Sequence, residues 1–175
     1  TMAEVERDRA VKAEEIAKGE AERANSEAAI AAAVNDFLTD DLLAQADPDN
    51  EPDRDIKLRT VVERAAEGIE GRFAEQPLVQ AEILSVLGKG YHSLGEYKRA
   101  EQLKQQAREI QERVLGLEHP KTLVTKASQA NSINKQGRHA EAAAMFHEVA
   151  VVTERLFGPD HPLTLHAKSG LANSF

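Results

Sequence analysis

A repeat with a period of 42 residues constrains this chain more than any other feature of its sequence. When the chain is offset by one period, small residues, charged pairs and His-Pro dipeptides in one copy fall on the same residues in the next. The matched pairs include Gly95 with Gly137, Ala100 with Ala142, Glu112-Arg113 with Glu154-Arg155, Gly116 with Gly158, and His119-Pro120 with His161-Pro162. A fixed period of this length is typical of a solenoid, in which similar units stack on their neighbours.

Each unit is predicted to contain two helices. In the second unit the first helix is expected over residues 120–135, and Gly137 follows it because glycine tolerates the positive φ found at helix C-termini. The second helix is expected over residues 138–157 and is ended by Gly158. Pro162 then begins the next helix, where a missing amide hydrogen costs nothing.

Apolar residues recur at helical spacing within each unit, as Leu84, Leu87 and Tyr91 do in the first. Gly88 and Ala100 are small, and we expect helix backbones to approach one another there. A pair of helices cannot bury both of its faces alone, so neighbouring units must stack.

These residues resemble the tetratricopeptide repeat in its longer, 42-residue form, the type found in kinesin light chains and many bacterial proteins. The resemblance rests on residues spread over both helices and the turns of the units: Gly88, Tyr91, Gly95, Ala100, Gly116, His119, Pro120, Ala130, Gly137, Ala142, Gly158, His161 and Pro162. It implies an all-α fold, a right-handed solenoid of helical hairpins. Two full repeats span residues 78–119 and 120–161, and residues 162–175 form the first helix of a truncated third, so we expect a fragment of a longer protein.

The resemblance also implies where a partner binds, since in this family the first helices of successive repeats line a concave groove that holds a peptide or a partner helix. The positions carried over to that groove are Lys89, His92, Asn131, Asn134, Lys135, His166 and Asn173. Asn131 and Asn173 occupy equivalent positions, and an amide side chain can pair with a peptide backbone whatever its sequence. Lys89 and Lys135 would attract a carboxylate, but Glu82 on the same face makes the groove mixed in charge, so a strongly acidic ligand is not required. A protein or peptide partner is therefore expected.

Three segments precede the repeats. Residues 1–46 contain no proline and predict one long, charged, Ala-rich helix. Residues 47–55 carry two prolines and five acidic residues and are predicted to be a loop. Residues 56–77 resemble a degenerate second helix of the same repeat and would cap the array.

The long helix leaves two interpretations open. Alanines recur every seventh residue at Ala10, Ala17, Ala24 and Ala31, which favours a coiled coil and hence a homodimer as an architectural alternative to peptide binding. The other interpretation is a solvated helix anchored on the repeats only by apolar residues near its end: Val34, Phe37, Leu38, Leu42 and Leu43. Alanine buries little apolar area, so the seam alone does not decide between them.

The order of segments, a charged helix followed by 42-residue repeats, is similar to the region after the kinase domain in bacterial serine/threonine protein kinases. In that family a membrane helix commonly separates the kinase from the repeats. The chain would be extracytoplasmic behind such a helix and cytoplasmic otherwise. It contains no His-Arg-Asp loop, Asp-Phe-Gly motif or Gly-rich nucleotide loop. We therefore expect a non-catalytic sensory or scaffold region.

Composition narrows the function further. The chain has no cysteine, so a disulfide scaffold and a Cys-ligated metal are excluded. A net charge of −8 with no basic tract argues against nucleic acid, because lysine and arginine supply most of that affinity. The longest apolar run, residues 28–34, is too short to insert into a membrane. No metal site, cofactor site or catalytic constellation is predicted.

Overall fold

The computed structural model describes residues 2–42, 63, 69 and 73–175, and all regular structure within them is helical. The helices are α1 (Met2–Asp36), continued by a π-helical segment (Phe37–Leu42), α2 (Pro77–Ser93), α3 (Tyr97–Leu115), α4 (Pro120–Lys135), α5 (His139–Phe157) and α6 (Pro162–Ala172). The expected all-α fold with a long N-terminal helix is confirmed as far as Leu42.

Helices α2 to α6 form a solenoid, because each packs mainly against the helix before it and the helix after it. Helix α4 has the predicted bounds, and α5 begins at His139, one residue later than predicted. Helices α2 and α3 form the first hairpin, α4 and α5 the second, and α6 is the first helix of the next. The predicted two-helix unit is therefore confirmed.

Four glycines set the turns of the solenoid. Gly95 and Gly137 follow the first helix of each hairpin with φ of 79° and 80°. Gly116 and Gly158 follow the second helix with φ of 94° and 91°. Residues with a Cβ are strained in this region, which is why glycine recurs there with the repeat.

The His-Pro dipeptide begins each new hairpin by capping its first helix. The Nδ1 atom of His119 accepts a hydrogen bond from the backbone N–H of Lys121 at 3.2 Å, and His161 does the same for Leu163 at 3.2 Å. Thr122 Oγ1 donates to the carbonyl of Gly116 at 2.9 Å, a bond that recurs one period later. These histidines satisfy backbone groups that a helix start leaves open.

Close packing explains the small residues of the repeat. A Cβ added to Gly88 would lie 2.9 Å from Cγ of Lys104, and one added to Gly170 would lie 2.4 Å from the ring of Phe146. Ala100, Ala130 and Ala142 are fully buried between helices. The close approach of backbones predicted at Gly88 and Ala100 is confirmed, since a Cβ on Gly88 would also lie 3.4 Å from the backbone oxygen of Ala100.

The end of α1 is anchored on the first hairpin. Val34 and Phe37 are buried in its core with Leu38 packed against them, and Phe37 meets Phe73 edge to face at 6.4 Å. The predicted anchor is confirmed for these three residues, while Leu43 and the side chain of Leu42 lie outside what the structure describes. Ile69 is also buried in this core.

Several predictions fall outside the described residues. They are the acidic loop at 47–55 and nearly all of the predicted capping helix at 56–77, of which only Glu63, Ile69 and residues 73–77 are described.

Of the alanine seam, Ala17, Ala24 and Ala31 are exposed, and the homodimer stays a prediction. None of the helices in the described part of the chain has the length and apolar character that crossing a membrane requires.

Candidate peptide-binding groove

The predicted groove residues lie in two rows along the first helices of the hairpins. Lys89 on α2, Asn131 on α4 and Asn173 at the end of α6 are one period apart and form the first row. His92 and Asn134 form the second. Positions one period apart in a solenoid present their side chains on the same face, so each row runs across neighbouring hairpins.

His92 connects the first two hairpins. Its Nδ1 atom lies 3.1 Å from Oγ of Ser132 on α4, and its ring packs edge-on against Tyr97 with centroids 5.1 Å apart. Burial lowers the pKa of His92, and the positive charges of Lys104 and Lys135 lower it further. His92 is therefore held in place by its neighbours and lies in a positive electrostatic potential.

Asn134 forms structural bonds with its amide. Its Nδ2 donates to the backbone carbonyl of Asn173 at 3.3 Å, and its Oδ1 lies 2.6 Å from Nδ1 of His139. Asn173 is itself the residue that ends α6. The first contact joins the second hairpin to α6 and the second lies within the second hairpin, so the side chain of Asn134 has little capacity left for a ligand.

Asn131 and Lys135 are more available. Asn131 is half-buried on α4, and its amide makes no hydrogen bond to the described residues. Lys135 is exposed one turn later. His166 is exposed on α6, where its ring meets the edge of Phe146 at 6.5 Å, and no described hydrogen bond connects it to the other groove residues.

Lys104 on α3 belongs to this face and was missed by sequence reasoning. Its side chain is only 3 % exposed, and its Nζ donates to the backbone carbonyl of Ser128 at 3.1 Å and to Oγ of Ser132 at 3.0 Å. Burial lowers its pKa from 10.5 to about 8, with a further contribution from Lys89. The repeat could have indicated that Lys104 is buried, since the residue one period later is Phe146, a core residue.

A cavity of about 470 Å³ lies between α1, α2, α3 and α4. Its lining combines apolar and polar side chains with five charged ones. The lining residues are Glu27, Ile30, Ala31, Val34, Glu82, Ser85, Lys89, Lys104, Gln111, Pro120, Lys121, Val124, Thr125 and Ser128. Helix α1 thus forms one wall of the groove beside the first hairpin. The sequence predicted the anchor of α1 and not this wall.

The groove face carries no cluster of side chains suited to holding a metal ion in the described part of the chain. No group of three histidine or carboxylate side chains comes together there as a metal site would require. Lys104 and Lys135 instead place positive charge near His92, and Lys89 lies near Lys104, on a chain whose net charge is −8. This face is suited to binding an anionic group.

The tetratricopeptide repeat family model matches residues 80–121 and 130–163, which cover most of both hairpins. Two solved structures with similar folds are of repeats designated a kinesin light chain from Podosopora anserina, described as nearly identical TPR-like repeats. One of them, a single-substitution variant, has a TM-score of 0.51 and 23% identity and covers 67% of this chain; the other has a TM-score of 0.53, 22% identity and 67% coverage.

At this level of identity the two structures establish the fold. Their chains are longer, and the present chain covers 58% and 59% of them. No curated protein matches the sequence. Tetratricopeptide repeats generally mediate protein–protein interaction, and proteins of this fold are generally non-catalytic scaffolds.

Proposed function

We propose that this chain is a protein–protein interaction module that binds an acidic peptide or partner segment along the first helices of its hairpins. The observation that carries the proposal is the grouping of three lysines on an otherwise acidic chain: Lys104 and Lys135 lie near His92, and Lys89 lies near Lys104. Like charges brought together on one face repel one another unless an anion sits between them. An acidic ligand supplies that anion, and complementary potential also speeds its arrival.

Asn131 supports a peptide as the ligand. Its amide is half-buried between hairpins and makes no hydrogen bond to the described residues, so it can both donate to and accept from a peptide backbone. It shares its row with Lys89, and the two would bind neighbouring segments of one extended chain. Asn134, committed to Asn173 and His139, would instead keep the hairpins in register.

The proposal is tested by panning a phage-displayed random peptide library on the immobilised chain and measuring selected synthetic peptides by fluorescence anisotropy. We expect the selected peptides to be enriched in aspartate and glutamate. The double variant Lys89→Ala/Asn131→Ala should bind them about tenfold more weakly or worse, because it loses a charged and a neutral hydrogen bond.

The matched control is Lys98→Ala/Gln106→Ala, which removes one lysine and one amide exposed on α3. This variant should bind the selected peptides as the wild type does, and both variants should retain wild-type circular dichroism. Absence of acidic enrichment, or equal loss in the two variants, would contradict the groove proposal.

An architectural function is the second candidate, favoured by the exposure of Ala17 and Ala24 along one seam of α1. Two such helices can pack at close range and dimerise the chain. Light scattering across a range of protein concentrations tests it. A dimer mass that Ala24→Glu converts to the monomer mass supports the seam, and a monomer at all concentrations refutes it.

The place of this module in a larger protein is proposed from the order of its segments alone. A charged helix followed by 42-residue repeats supports the sensory or scaffold region of a bacterial serine/threonine kinase. The flanking coding sequence tests this directly. A catalytic His-Arg-Asp motif upstream supports a kinase parent, and a flanking sequence without one removes that assignment.

A further inference from the structure

A buried lysine in the cavity between α1, α2, α3 and α4 has a donor that the fold leaves unused. Lys104 is 3% exposed and lines this cavity. An ammonium group has three N–H donors, and the carbonyl of Ser128 and Oγ of Ser132 accept two of them. No described carboxylate pairs with Lys104, so its charge and its third donor have no partner among the described residues. A buried charge in this state is costly, and an anion in the cavity would compensate it.

Two further donors lie beside this ammonium group. A Cβ added to Gly88 would lie 3.5 Å from Cε of Lys104, so the lysine side chain crosses α2 at Gly88. Ser85 lies one turn before Gly88 and Lys89 directly follows it, and both line the cavity. Ser85 is 9% exposed, and its Oγ has no hydrogen-bond partner among the described residues. Three donors from α2 and α3 therefore meet at one end of the cavity.

The other end of the cavity offers acceptors as well as donors. Gln111 follows Lys104 by seven residues on α3, about 10 Å further along the helix axis. It is 2% exposed, and its Oε1 has no hydrogen-bond partner among the described residues. Here the cavity continues into a second depression whose charged side chains are Arg23, Glu27, Glu82 and Lys121. A hydroxyl group suits this mixture, because it can donate to an amide or carboxylate oxygen and accept from a lysine or arginine.

Apolar side chains line much of the remaining wall. Ile30 and Val34 come from α1, and Val124 comes from α4 on the other side. The volume of about 470 Å³ lies within the range of about 300–1,000 Å³ that is typical of small-molecule sites. The carbon skeleton of a small metabolite would pack against these side chains.

We propose that this cavity binds a small phosphate ester that carries hydroxyl groups, such as a sugar phosphate. The phosphoryl group accepts hydrogen bonds from Ser85, Lys89 and Lys104. A hydroxyl group at the other end donates to Oε1 of Gln111. Three donors suit the three acceptor oxygens of a phosphoryl group better than the two of a carboxylate. Packing alone does not require the lysine, since the residue one period later is Phe146, which is fully buried. The site goes beyond the proposed peptide binding and does not depend on it.

Isothermal titration calorimetry of the full chain at low ionic strength tests the ligand. The probes are ribose phosphate, glycerol phosphate and glucose phosphate, with inorganic phosphate and ribose as controls that each lack one half of the ligand. At least one of the three esters should bind about tenfold more tightly than inorganic phosphate, because it adds a hydrogen bond to a buried acceptor, and ribose should not bind measurably. Esters that bind no more tightly than inorganic phosphate, or not at all, would overturn the proposal. So would tighter binding of the blocked peptide acetyl-Ala-phosphoserine-Ala-amide, in favour of a phosphorylated protein.

Two variants locate the ligand within the cavity. Lys104→Met should abolish binding of the ester and keep the wild-type circular dichroism, as an apolar residue does at the same position of the next hairpin. Gln111→Leu should weaken the ester about tenfold and leave inorganic phosphate unchanged, because it acts only on the hydroxyl end. The matched control Lys98→Met removes an exposed lysine from the same helix and should bind as the wild type does. Unchanged binding by Lys104→Met, or equal loss in Lys98→Met, would contradict the site.

Hydrogen exchange supplies a readout of position. Because α1 forms one wall of the cavity, the bound ester should slow amide exchange around Glu27 and Ile30. Binding that leaves exchange in α1 unchanged would place the ligand elsewhere and overturn the proposal.

The two proposals fail separately. Gln111→Leu should leave the affinity of the library peptides unchanged, since these are expected to depend on Lys89 and Asn131. If it weakens the peptides and the ester equally, the cavity belongs to the peptide groove and the small-ligand proposal is wrong. If the ester binds through Lys104 and Gln111 while no acidic peptides are selected, the cavity site stands and the groove function falls.

Discussion

Replacing Lys104 with methionine should reveal the energetic cost of a buried charge as a dependence of stability on pH. Burial lowers the pKa of Lys104 from 10.5 to about 8, and one pKa unit corresponds to about 1.4 kcal/mol. The protonated amine therefore destabilises the folded state by about 3 kcal/mol relative to the neutral amine.

Whether stability rises or falls with pH depends on which state, folded or unfolded, releases the Lys104 proton at the lower pH. Below pH 8 Lys104 is charged in both states, and the folded state bears the full cost of the buried charge. Between pH 8 and pH 10.5 the folded protein releases the proton while the unfolded chain keeps it, so the unfolded state binds more protons and stability rises with pH. Relative to Lys104→Met, the wild type should gain about 3 kcal/mol across this window.

At neutral pH the variant is relieved of the cost of about 3 kcal/mol for the buried charge, but it loses two hydrogen bonds that contribute about 1 kcal/mol each. It should therefore be more stable than the wild type by about 1 kcal/mol. The acceptors left behind keep other partners, because Ser132 still meets His92 and Ser128 O belongs to a helix. The variant and the wild type should therefore exchange their order of stability as the pH rises.

Urea unfolding followed by far-UV circular dichroism, repeated from neutral pH to pH 10.5, measures this difference. The other charged groups around the cavity, Lys89, Glu27, Glu82 and Lys121, are present in both proteins. The substitution also removes one of the charges that lower the pKa of His92, but that pKa lies below 6.5, outside the measured pH range, so the difference in stability reports on Lys104. Lys98→Met, a substitution of an exposed lysine on the same helix, is the control. A difference between wild type and Lys104→Met that stays constant with pH would refute the reasoning.

Three further substitutions test the fold. His119→Ala should cost about 1 kcal/mol by removing the cap on Lys121 and should speed amide exchange there, whereas unchanged exchange would argue against the cap. Gly170→Ala should cost about 1–3 kcal/mol in urea unfolding because its Cβ would meet the ring of Phe146, and a neutral effect would show that the ring can move. Phe37→Ala should cost about 3 kcal/mol of anchoring and raise hydrogen exchange throughout α1, while unaltered exchange would mean that α1 is held elsewhere.

The fold was predictable from sequence because its helix ends are decided locally. Gly137 and Gly158 take the positive φ that ends each helix, and His161 caps the helix that Pro162 begins. These signals act within a few residues of where they stand, so they can be interpreted without knowing the neighbours. The one-residue error at the start of α5 is of the size that such local signals allow.

The candidate site was predictable only in part. Asn131 and Lys135 were expected on the groove and are available there, while Asn134 is bonded to the neighbouring hairpin and His166 packs on Phe146. Sequence position gives the face of a helix to which a residue belongs. It does not give the partners that a side chain finds across the interface.

The sequence by itself determined that this chain folds as stacked helical hairpins, because a period of 42 residues repeats the residues that begin, end and pack each helix. Only the tertiary structure decided that Lys104 is buried, that the side-chain oxygens of Ser85 and Gln111 lack hydrogen-bond partners among the described residues, and that α1 forms a wall beside them. These features depend on how closely helices distant in sequence approach. That distance is set by the packing of all the side chains between them, which no local pattern records.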